Sequence, residues 1–151
     1  MTGKIAASGN VNSLLEEDEA TARTMSLAGK NNCYINMFKE CSSLTTAPEL
    51  PATTLANNCY ESMFEKCSSL TQAPALPATT LANSCYNGMF SNCSLTTAPA
   101  LPATTLANSC YSGMFSGCRS LTQAPALPVT TLADSCYKNM FSNCTSLTQA
   151  P

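Results

Sequence analysis

"CYNGMFSNC", residues 85–93, is the stretch on which the folding of this chain turns. Two cysteines flank a tyrosine and a Met-Phe pair, and close copies stand at 33–41, 59–67, 110–118 and 136–144. The first cysteines fall at 33, 59, 85, 110 and 136, so the period is 26 residues with one step of 25. The short step lies in "CSLTT" (93–97), where the neighbours read "CSSLT"; one serine is missing from a turn and the frame resumes at once. A fixed period of about 20–50 residues marks a solenoid, whose units bury their apolar side only by stacking on the next.

Within the CYxxMFxxC frame, apolar residues occupy positions 0, 1, 4, 5 and 8. At about 100° per residue they project onto one arc of roughly 140°. The spacing therefore predicts a short helix with one buried side, N-capped by Asn57/Asn58, Asn83/Ser84, Asn108/Ser109 and Asp134/Ser135. After the second cysteine comes a turn, then "LTQAP" (70–74, with counterparts starting at Leu44, Leu95, Leu121 and Leu147), read as a short strand ended by proline. "ALPATTLA" then crosses in extended form, because Pro77 and its counterparts forbid a helix there.

The predicted fold class is α/β, a leucine-rich-repeat solenoid of about five repeats of 26 residues. Short parallel strands about 4.8 Å apart should line the concave side and short helices, being wider, the convex side. Residues 31–151 form the array, and 1–30 an N-terminal cap with a degenerate repeat. There, "TMSLAGKNNCY" (24–34) matches "ATTLANNCY" with Gly29-Lys30 inserted. The acidic run 16–19 suits a polar end face, and lacks the alternating spacing of a calcium loop.

Composition narrows the function. Charged residues are 11% of the 151, the net charge is −2, and the few Lys and Arg are scattered, which argues against nucleic acid. No apolar run approaches the ~20 residues of a membrane span, and residues 1–15 show no apolar core of a signal peptide. With no histidine there is no base for a catalytic thiol, and no C-x₂-C pair suggests zinc, so neither an enzyme nor a metal or other cofactor is expected. Cysteines eight apart on a helix would lie ~12 Å apart, beyond disulfide reach. Neighbouring helix axes about 8–10 Å apart would also be wide for a bridge. The expectation is two ladders of buried free thiols, with Met37, Met63, Met89, Met114 and Met140 as core filler.

The consensus "LTxAPxLPATTLAxxCYxxMFxxCxS", covering about 24–151, resembles the BspA-like leucine-rich-repeat surface proteins of anaerobic gut and oral bacteria. The specific part is Phe-x-x-Cys followed by Ser-Leu-Thr, at Phe64/Cys67, Phe90/Cys93, Phe115/Cys118 and Phe141/Cys144. "SGNVNSLL" is similar to the lead-in of such arrays. The unit is longer than the form common in that family, with Cys59, Cys85, Cys110 and Cys136 where an aliphatic residue is more usual. The resemblance implies a non-enzymatic binding or adhesion module, cell-surface or secreted, with a protein or glycan ligand. A phage particle or the cytoplasm are the alternative locations.

Two outward rows on the strand side form the candidate partner strip: Thr45, Thr71, Thr96, Thr122, Thr148, and beside them Thr46, Gln72, Thr97, Gln123, Gln149. A second possibility is a structural role, with head-to-tail self-association into a filament through an unpaired strand edge at 147–151. A third is an ice or crystal-surface binder using the pairs Thr79-Thr80, Thr104-Thr105 and Thr130-Thr131, although adjacent threonines in an extended chain should face opposite ways.

Overall fold

The computed structural model describes residues 4–149. The cysteine frames are not helices. Residues 31–40, 57–66, 83–92, 108–117 and 134–143 are unbroken runs of turn. Every fourth residue in them has positive φ: Asn58 (56°), Ser62 (50°) and Lys66 (62°) in the second run, Ser84, Gly88 and Asn92 in the third. An α-helix needs right-handed φ at every residue, so a left-handed residue each four positions ends it before one turn is complete. The proposed N-caps are reassigned accordingly. Asn58, Ser84, Ser109 and Ser135 are left-handed, and the residues before them belong to the turn runs.

This geometry redirects the backbone hydrogen bonds. Alternate N–H groups close tight turns, as Met63 to the Tyr60 carbonyl (3.3 Å) and Cys67 to that of Phe64 (3.1 Å). The others point at the next unit. Asn58, Tyr60, Ser62, Phe64 and Lys66 donate to the carbonyls of Asn83, Cys85, Asn87, Met89 and Ser91 at 2.7–3.0 Å. The same five bonds, within the same distances, recur at all four junctions between turn runs. Successive units are thus stacked with the spacing of a parallel sheet rather than of packed helices.

Side chains repeat with the backbone. Tyr34, Tyr60, Tyr86, Tyr111 and Tyr137 stack with ring centroids 5.6–5.8 Å apart and planes within 12°. Phe38, Phe64, Phe90, Phe115 and Phe141 do the same at 5.5–5.9 Å. Met63, Met89, Met114 and Met140 are buried beside them, but Met37, at the first unit, is 39% exposed. Inward leucines (Leu44, Leu70, Leu95, Leu121) complete the core from the other side.

That other side is looser. β1 (Ile5–Ala6) and β2 (Leu44–Thr46) form a parallel pair. Among the described residues the later "LTQAP" copies form no strand; Gln72 and Thr97 meet in an isolated bridge. Single bonds join them: Thr96 N–H to Thr71 O at 3.2 Å, then Thr122 to Thr96 and Thr148 to Thr122 at 3.5 Å. The prolines that follow leave too few donors to continue a ladder. The expectation of a concave strand side rested on helices being the wider layer. With turns stacked at sheet spacing, that reason is gone.

The missing serine costs one bond. Leu44, Leu70, Leu121 and Leu147 each donate to the carbonyl of the cysteine three residues earlier, whereas Leu95 makes no such bond. Leu95 is nevertheless fully buried and Thr97 meets its bridge partner, so the register is recovered within four residues.

Residues 4–30 close the near end. A 3₁₀ turn (Val11–Leu14) leads to α1 (Glu19–Thr24), N-capped by Asp18, whose side chain accepts from Thr21 N–H at 2.7 Å. Buried Asn12 donates to the Ala22 carbonyl (3.1 Å) and accepts from the Tyr34 hydroxyl (3.1 Å), sealing the first tyrosine. Two of the acidic residues serve this helix: Asp18 caps it, and Glu19 pairs with Arg23 at 3.0 Å, which also meets Glu49. Leu27 N–H reaches Thr54 O and Asn32 N–H reaches Asn57 O, so inserted Gly29-Lys30 bulges between two in-register bonds. The bulge uses Gly29 at φ 76°.

Candidate binding surface

The two outward rows of the strip differ in what their side chains do. In the first, Thr45 is half-buried and its hydroxyl donates to the Ile5 carbonyl at 3.0 Å. Thr96, Thr122 and Thr148 are exposed, but their hydroxyls turn to the carbonyls of Thr71, Thr96 and Thr122 at 3.4–3.5 Å. In the second row Thr46, Gln72, Thr97, Gln123 and Gln149 are all exposed and make no side-chain hydrogen bond among the described residues. The structure therefore divides the ten residues: the first row mostly serves the stack, and the second is free to meet a partner. Thr45, Thr46, Thr71 and Gln72, with Ala47, Ala73 and Pro74, line a shallow groove of about 160 Å³.

The sequence reading overlooked the corner beside this strip. Pro48, Pro51, Pro74 and Pro77, with Leu50, line an apolar groove of about 330 Å³, and the motif repeats one unit along with Pro99 and Pro102. "APxLP" was its signal, read only as a strand end and a helix breaker. On the crossing segment Thr79, Thr80, Thr104, Thr105, Thr130 and Thr131 are all exposed, and Thr80 sits in isolated bridges to Thr54 and Thr105.

Asparagines form a further row. The Asn31 side-chain carbonyl accepts from Asn57 N–H (3.2 Å), Asn57 from Asn83 (3.1 Å) and Asn83 from Asn108 (3.2 Å). Each side chain thus satisfies the donor that opens the next unit.

All ten cysteines are free thiols, eight of them buried, Cys33 half-buried and Cys41 exposed. In the second row every thiol after Cys41 donates backward: Cys67 to Phe38 O, Cys93 to Phe64 O, Cys118 to Phe90 O and Cys144 to Phe115 O, at 2.9–3.0 Å. These bonds need the S–H proton, and burial supplies it by pushing Cys67 up to about 11 and Cys118 to about 12. Burial likewise raises Cys85, in the first row, to about 12. A thiol so held is a poor nucleophile near neutrality. At the open end, a hydrogen bond from the Cys59 side chain lowers Cys33.

Among the described residues no group of three or more His, Cys, Asp or Glu is placed to hold a metal ion, and no helix is long and apolar enough to cross a membrane. No family model matches this chain, and no curated protein or solved structure matches it either.

Proposed function

We propose that this chain is a leucine-rich-repeat solenoid of the BspA-like kind, a non-enzymatic binding module, cell-surface or secreted, for a protein or glycan. The observation that carries the reading is the second row of the strip. Thr46, Gln72, Thr97, Gln123 and Gln149 offer one uncommitted hydroxyl or amide per unit, about 4.8 Å apart, with no charge among them. Such a row favours neutral ligands rich in hydroxyl and amide groups. The core beneath fixes the backbone of the row, so the ordering cost on binding is confined to its side chains.

The test is a binding screen of the purified chain against immobilised glycans and extracellular-matrix proteins, repeated with Gln72→Lys/Gln123→Lys. Both sites are exposed, so the thermal midpoint should be unchanged while a true ligand loses at least about tenfold in affinity. Equal binding by the two proteins would remove the strip from consideration. A second reading, an ice or crystal-surface binder, draws on the exposed threonine pairs at 79–80, 104–105 and 130–131. Thermal hysteresis in the same preparation supports it, and freezing without hysteresis excludes it.

A further inference from the structure

The two cysteine rows are not equivalent. In the second, every thiol after Cys41 is committed to a phenylalanine carbonyl. The first row has no such acceptor among the described residues, and at its start the Cys59 thiol donates a hydrogen bond to the Cys33 sulfur. The backbone fixes this pair from both sides. Asn32 N–H meets Asn57 O and Tyr34 N–H meets Cys59 O, each at 2.9 Å, and the Tyr34 and Tyr60 rings beside them lie 5.6 Å apart. Cys33 and Cys59 are therefore opposite residues of two runs at sheet spacing, about 4.8 Å. The wide gap expected between helix axes does not exist here.

Like stacked on like sends the two Cα–Cβ bonds off in parallel, so the Cβ atoms keep about that same spacing. A disulfide wants them closer, at about 3.5–4.5 Å. A two-coordinate cation asks for something else: sulfurs on opposite sides of the metal, separated by two bonds of about 2.3 Å, the length of a zinc–thiolate bond, or ~4.6 Å in all. We propose that Cys33 and Cys59 form a site for one soft monovalent cation of the Cu(I) type, held in line between their sulfurs. Softness selects the ion, since thiolates favour Cu(I), and two thiols without a histidine cannot complete the four-ligand shell of zinc. The sequence argument against a metal rested on that four-ligand shell and does not reach a two-ligand site.

Two further features set this pair apart from the rest of its row. The cap of residues 4–30 covers Tyr34, through Asn12, but leaves Cys33 half-buried, whereas Cys59, Cys85 and Cys110 are fully buried; the row opens to solvent beside Cys33. The insertion Gly29-Lys30 also brings a cation, Lys30, close to the Cys33 sulfur. Binding is an exchange of protons for the metal. Each thiol releases its proton to solvent, each sulfur donates a lone pair to Cu(I), and no electron changes hands. The product carries one net negative charge, which the Lys30 ammonium offsets. Residues 68–118 hold no charged side chain, so the pair Cys85 and Cys110 has neither an entry nor a counter-charge. This goes beyond the binding reading, since it leaves the Thr/Gln strip untouched.

The test is an anaerobic titration of the reduced full chain with Cu(I) against a chromophoric Cu(I) chelator. The wild type should keep one equivalent that the chelator removes last. Cys41→Ser should keep it equally, although Cys41 is the exposed thiol. Cys33→Ser, at a half-buried site and with unchanged circular dichroism, should weaken binding by at least about a hundredfold. Lys30→Glu removes no sulfur and should weaken it severalfold through charge alone. Copper-edge X-ray absorption of the wild-type complex should show two sulfur neighbours and no others. Wild-type affinity in Cys33→Ser, loss of the equivalent in Cys41→Ser, or three or more sulfur neighbours overturns the proposal.

Discussion

Two sides of the same unit are joined to their neighbours in different ways. At each junction the turn side makes five backbone bonds of 2.7–3.0 Å and stacks two aromatic rings and buries a thiol. The "LTQAP" side makes single bonds that lengthen from 3.2 to 3.5 Å along the chain. Both come from one repeated sequence, so the contrast teaches where its cohesion lies. It lies in the segment that looks least like regular secondary structure. The prolines on the other side fix the chain's direction but surrender donors, and the exposed Thr/Gln row sits where little is asked of it structurally.

The steepest way to break the contrast is alkali. Burial raises Cys67, Cys85 and Cys118 above the ordinary range of a thiol, to between about 11 and about 12. The unfolded chain therefore releases these protons first. Stability from this source is full below about pH 9 and falls as pH rises, by about 1.4 kcal/mol per thiol for each unit. Urea midpoints should be flat from pH 6 to 8 and drop sharply between 9 and 11; a flat profile to pH 11 would mean that the thiols reach solvent. Next in size is Phe90→Ala, which deletes a ring stacked on both faces and should cost about 3–5 kcal/mol in urea unfolding. A loss below 1 kcal/mol would show that the rings are ornaments to a stack held otherwise.

Smaller effects sharpen the picture. Ser62→Val places a β-branched residue at φ 50° and should cost about 1–3 kcal/mol, whereas Ser62→Gly, as at Gly88 and Gly113, should cost nothing. Equal midpoints for the two variants would refute the left-handed turn at that position. Smallest of all is Thr96→Ala, which removes a 3.4 Å hydroxyl bond at an exposed site and should stay within about 0.5 kcal/mol. A larger loss would make the strand side a full partner in stability.

The period, the inward leucines and the rows of sulfur and rings were all legible in the sequence, because they depend only on like stacking on like. The helix was not, and the reason is arithmetical. Apolar residues at 0, 1, 4, 5 and 8 suit a helical arc, but they suit a four-residue repeat better. Over nine residues the two periods barely separate. The deciding signal was the other set of positions: Asn36 and Glu40, Gly88 and Asn92, Gly113 and Gly117, each pair four apart and rich in the residues that tolerate positive φ. The strands were overrated for lack of donors around proline. The division of the strip into a committed and a free row depends on rotamers, which composition does not encode. Asn12 was hidden for another reason: its partners Ala22 and Tyr34 meet it only through the cap, outside any repeat.

The dropped serine at the third corner shows what such an architecture permits. Leu95 gives up one turn bond and the rings of the following unit stay in phase, with centroids 5.9 Å apart at Phe90 and Phe115. That corner behaves as an expansion joint: a lineage can lengthen or shorten its units there, and so reshape the outer face beside it, while the inner columns keep time.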